Sequence, residues 1–64
     1  MRHYISDSNG DEIRTNNGER VFWSDSDGDF NRNSQTVYTE HSGIFGGSSK
    51  IDGVSYDPSH NKFK

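Results

Sequence analysis

Sixty-four residues allow one domain, 1–64, and a chain of this size buries only about 60% of the surface it exposes when unfolded. Just 25% of the residues are hydrophobic, cysteine is absent and the net charge is −3. These figures exclude a disulfide framework and disfavour direct nucleic-acid binding, which needs a basic face. They leave no window long and apolar enough for a membrane span.

The kind of apolar residue sets the fold class. Apart from Met1, every one is Ile, Val, Phe, Tyr or Trp, and Leu and Ala are absent. Side chains of this kind fit a pleated surface and lose rotamer freedom in a helix. The expectation is an all-β domain, an antiparallel meander of five or six short strands curled into a barrel or sandwich. So thin a core calls for help from a partner or from self-association.

In chain order, residues 3–6 read as a first strand and Asp7-Ser8-Asn9-Gly10 as turn chemistry. A three-residue loop with Gly10 as its bulge pairs Ile5 with Ile13. A two-residue Asn9-Gly10 turn would instead set Asp7 against Glu12, like charge against like. Residues 12–15 read as the second strand, and Asn16-Asn17-Gly18 repeats the loop, placing Ile13 beside Val21. Ile5, Ile13 and Val21 then form a core row with Trp23 on the same face. Tyr4, Arg14, Arg20 and Phe22 share the other face, where arginine can cover an aromatic ring. The run from Glu19 to Phe30 holds the only Trp and the densest apolar and acidic stretches, a central strand running into an acidic turn.

Ser6-Asp7-Ser8-Asn9-Gly10-Asp11 recurs as Ser24-Asp25-Ser26-Asp27-Gly28-Asp29, one exchange apart. The simplest account is one hairpin turn used twice. Further on, residues 35–40 read as a strand, 41–49 as a loop with Ile44-Phe45 between glycines, and 50–56 as a long strand bulged at Gly53. Residues 57–61 form a turn, and 62–64 a short edge strand guarded by lysines. Tyr4, Phe22, Tyr38 and Tyr56 fall out of phase with the core row, as a recognition surface would.

The alternation Asp25, Asp27, Asp29, Asn31 resembles the oxygen-ligand spacing of EF-hand and dockerin calcium loops. Counted from Asp25, the glycine falls fourth rather than sixth and Thr36 stands where the bidentate Glu belongs. No metal or other cofactor is expected. Catalysis is not expected either: His3, His41 and His60 are dispersed and no pocket is foreseen. All four arginines and seven of the ten acids lie in the first half, and the three lysines lie at the end. The functional expectation is a non-enzymatic, cytoplasmic protein-binding module. It would dock an acidic and aromatic face on a basic partner and block it, as a small acidic inhibitor of a nucleic-acid-processing enzyme would. Trp23, Asp25, Asp27, Asp29, Ile44 and Phe45 are the expected contacts, and a homo-oligomer is the other way to bury the aromatic surplus. A calcium-stabilised β module of a larger extracellular protein is the alternative.

Overall fold

Two glycine turns shape the first half of the chain. Around Gly10, at φ 85°, the Asp7 amide donates to the Asp11 carbonyl and the Gly10 amide returns to the Asp7 carbonyl. Around Gly18, at φ 80°, Thr15, Glu19 and Gly18 repeat the same two bonds. Both are three-residue loops closed by a glycine in the left-handed region. The expected registers follow, with Ser6 opposite Glu12 and Arg14 opposite Arg20.

The computed structural model describes residues 1–27, 33–44 and 46–64. Five antiparallel strands lie side by side in chain order: β1 (Arg2–Tyr4), β2 (Val21–Ser24), β3 (Gln35–Glu40), β4 (Ser48–Asp57) and β5 (Lys62–Phe63). The sheet curls into a half-barrel meander, which makes the domain all-β. Among the described residues the one helical turn is the 3-10 turn Asp25–Asp27, and no helix is long and apolar enough to cross a membrane.

The second expected strand, 12–15, is reduced to its two isolated bridges. The piece between the glycine turns is too short to separate its neighbours along their whole length. Beyond it β1 zips directly onto β2, Tyr4 opposite Phe22 and Arg2 opposite Ser24. The fork sits at Ile5, whose amide donates to Val21 and whose carbonyl accepts from Ile13. The expected row of Ile5, Ile13 and Val21 thus meets at one point.

Ile5, Val21, Val37 and Tyr56 form the buried core, with Ile13, Trp23, Ile51 and Val54 packed against it. Tyr56 was expected on the other face. The register shifts between Thr36 and Tyr38: Thr36 lies opposite Ser55 but Tyr38 opposite Lys50, so residues 51–54 all face Val37. Gly53, at φ 76°, carries this bulge and reverses the alternation. Ile51 and Tyr56, of opposite parity, therefore both point inward. Ser48 and Ser49, expected in the preceding loop, belong to β4. The two copies of the repeat also diverge. The first is a hairpin loop held by Asp7, whose carboxylate accepts from the Asn9 and Asp11 amides. The second begins as the end of β2 and the 3-10 turn, where Ser24 Oγ accepts from the Ser26 amide. Gly28 and Asp29 lie outside the described residues.

Candidate functional site

The alternation of β1, β2 and β3 puts Tyr4, Phe22 and Tyr38 in one row on the face away from the core. Phe22 stacks on Tyr38 and meets Tyr4 edge-on. The Arg2 guanidinium lies 4.5 Å from the centre of the Phe22 ring, and that of Arg20 lies 3.5 Å from the centre of Tyr4. Glu40 joins the lid, accepting from the Tyr4 hydroxyl and from Arg2 at 2.6 Å. Those two donors hold its carboxyl below the usual range. Glu12 takes a two-pronged contact from Arg20 and is lowered for that reason. This face is consequently covered. Phe22 is only 3% exposed, while Tyr4 and Tyr38 stay half-buried. Of the two arginines expected on this face, Arg20 covers a ring, Arg14 donates to the Gly18 carbonyl instead, and Arg2 covers Phe22.

The open part of the molecule lies elsewhere. β1 and β5 are the two sheet edges, and the half-barrel leaves a groove of about 670 Å³ between them. Ile5, Ile13 and Trp23 line it from the first half of the chain, and Tyr56, Pro58 and Phe63 from the second. Each wall is fixed by its own turn. Asp57, 3% exposed, accepts from the Ser59 hydroxyl at 2.6 Å and from the Ser59 amide at 3.1 Å. Its other oxygen meets His60 Nδ1 at 2.7 Å. The Ser59 bond first, then His60, holds this carboxyl at about 2. The turn so tied places Phe63 edge-on against Tyr56, with 42% of Phe63 left exposed. Opposite, Trp23 is stacked on His3 at 4.2 Å. His3 Nε2 is tied to Asp25 at 3.1 Å, and the terminal amine reaches the other Asp25 oxygen at 2.9 Å. His3 and then the amine hold Asp25 at about 2.

The expected contact residues that the structure describes, Trp23, Asp25, Asp27 and Ile44, do not form one patch. Trp23 faces the groove, and Asp25 sits beside it but is engaged with His3 and the terminus. Asp27 lines a second depression, with Phe22 and Tyr38, on the opposite face. Burial and then Asp27 raise the Tyr38 phenol. Ile44 is 97% exposed on the loop after β3, and Asp29 and Phe45 lie outside the described residues. The calcium count fares likewise: Asp25, its first position, has both oxygens engaged, while Asp29 and Asn31 are not described. Among the described residues no group of three or more His, Asp or Glu could hold a metal ion.

Sequence reasoning missed Pro58 and Phe63 as walls of the groove. The available signal was Phe63 itself, a large aromatic between two lysines that mark its short strand as an edge. It also missed the convergence of Glu19, His41 and Ser49, described below. The chain matches no protein-family model, no curated protein and no solved structure.

Proposed function

We propose that this chain is a protein-binding module that holds an extended apolar segment of a partner, flanked by basic residues, in the groove between β1 and β5. The observation that carries the reading is the groove itself. A half-barrel curls its core-facing side into a concave wall, and here Trp23 and Phe63 stand on the two sides of the groove, with no strand among the described residues between the edges β1 and β5. An extended segment laid there gains main-chain bonds from the edges and a seat for alternate side chains. The basic flank follows from charge. Glu12, Glu19, Asp25, Glu40 and Asp57 each pair with an arginine, a histidine or the terminal amine. Asp7, which lines the groove, and Asp11 beside it have no ion pair among the described residues. A partner that brings Lys or Arg to that rim gains on-rate and specificity. The module works by occupancy: whatever segment it holds is withheld from other uses.

The test is selection of displayed random twelve-residue peptides, followed by affinity measurement on variants. Selected peptides should combine aromatic or β-branched residues with Lys or Arg. Phe63→Ala should weaken them about tenfold or more, as loss of an aromatic anchor does. Asp7→Asn keeps the turn acceptor but removes the charge, and should weaken them mainly through association rate and at low salt. Ile44→Ala should leave them unchanged. Peptides indifferent to both Phe63→Ala and Asp7→Asn would refute the reading. So would a stable dimer in solution that Phe63→Ala dissociates, because the groove would then belong to a second copy.

A further inference from the structure

The three histidines are each bonded to a carboxylate, but among the described residues one alone, His41, faces a hydroxyl on its other nitrogen. Continuing the Val21–Thr39 register two pairs outward, past Arg20 and Glu40, sets Glu19 opposite His41 across β2 and β3. The β3–β4 register, Thr39 opposite Ser49, brings Ser49 diagonally alongside. The result is a linear set: Glu19 Oε2 lies 3.0 Å from His41 Nδ1, and His41 Nε2 lies 2.5 Å from Ser49 Oγ. The bulge at 51–54 takes no part, so Ser49 keeps its place in a regular ladder.

Tautomer logic assigns the protons. A carboxylate only accepts, so neutral His41 carries its hydrogen on Nδ1 toward Glu19. Nε2 is left with a lone pair aimed at Ser49, and the Ser49 hydroxyl donates to it. The same logic separates this set from its neighbour at residues 57–60. There Ser59 Oγ stands 3.3 Å from His60 Nδ1, the nitrogen already turned to Asp57, and its own proton faces the Asp57 and Asn33 side-chain oxygens, each at 2.6 Å, instead. Among the described residues, His3 meets Asp25 and the Trp23 ring.

We propose that Ser49 is a primed nucleophile that accepts an acyl group from an activated ester, with His41 as general base and Glu19 as positioning residue. Ser49 Oγ attacks the ester carbonyl carbon as its proton passes to His41 Nε2. The carbon–oxygen bond to the alcohol then breaks, and Nε2 returns the proton to the departing oxygen. An alcohol and an acyl-Ser49 result, and no further reactant is consumed. Side-chain exposure of 43% at His41 leaves the approach open, so the site favours donors with a good leaving group over any one acyl shape. The site shares no residue with the lining of the groove and stands whether or not a partner binds there.

The experiment uses an alkyl fluorophosphonate, in which the Oγ–phosphorus bond forms, the phosphorus–fluorine bond breaks, and fluoride and the proton leave to solvent. Intact mass should show a single adduct, and peptide mapping should place it on Ser49, with Ser59 unlabelled as the internal control. Ser49→Ala should abolish it. His41→Ala should slow it about 100-fold, as loss of a general base does. Glu19→Gln, whose amide can donate to Nδ1 and so reverse the tautomer, should slow it, and Glu19→Asp should restore most of the rate. Trp23 emission confirms that each variant is folded. No adduct, an adduct spread over several serines, or unchanged labelling in His41→Ala would overturn the proposal. Equal rates for Glu19→Gln and the unaltered chain would remove Glu19 from the set.

Discussion

Ile5→Ala tests the fold at the point where three segments meet. Ile5 is 2% exposed and bonded to both Val21 and Ile13. Truncation removes three carbon groups worth about 0.8 kcal/mol each in transfer. The space left cannot close, because the backbone on both sides is held, so a cavity term brings the loss to about 3–4 kcal/mol. A single core of this size rarely supplies more than about 3–5 kcal/mol in all. The variant should therefore be largely unfolded in buffer, whereas Ile5→Val should lose only about 1 kcal/mol. A urea titration followed by Trp23 emission measures this directly, since that indole packs on the cluster. With a slope of about 1 kcal/mol per molar urea, Ile5→Val should keep a transition about 1 M below that of the unaltered chain, while Ile5→Ala should show little or none. A loss below about 1 kcal/mol in Ile5→Ala would refute the fork as the centre of the fold, as would an equal loss in the exposed Ile44→Ala.

Two more outcomes follow from the same geometry. Asp25 and Asp57 are held at about 2 against an ordinary 3.8, and Glu12 and Glu40 are lowered as well. The unfolded chain therefore binds protons first. Their contribution is full above about pH 5, clear of the unfolded values of 3.8 for Asp and 4.5 for Glu, and is lost as pH falls toward 2. Circular dichroism should show acid unfolding in that window, and an onset above pH 5 would contradict these pairings. Gly18→Ala should cost about 1–2 kcal/mol in the same urea assay, because φ is 80° and the surroundings are open, so the penalty is purely conformational. Gly47→Ala, which has no left-handed backbone to satisfy and meets only the His41 ring at 3.8 Å, should change little.

Much of the local structure was legible. Asp-Ser-Asn-Gly and Asn-Asn-Gly specify a loop type by chemistry, because glycine alone adopts the required angles cheaply, and the apolar pairs Ile5–Ile13 and Ile13–Val21 select the register. The strand Gln35–Glu40 and the return at Lys62–Phe63 follow from the same alternation. What chain order conceals is where a neighbour stops. Nothing in residues 12–15 says that β1 and β2 will meet beyond their end. Gly53 signals a bulge but not that it takes up residues 51–54, and that number decides whether Tyr56 turns inward. The candidate site was less legible for a related reason. Trp23 could be picked out by type, but Phe63 becomes its counterpart only once the sheet curls. Glu19, His41 and Ser49 meet only through two registers read together.

The looped-out stretch opposite Val37 has a mechanical corollary. It makes β4 two short ladders joined by slack, with Ser49 on one and Tyr56 on the other. A peptide held as proposed would touch the ladder of Tyr56, which shares no paired residue with the ladder of Ser49. The hydroxyl and the crevice are thus free to acquire, lose or change their roles separately, although they share a single strand.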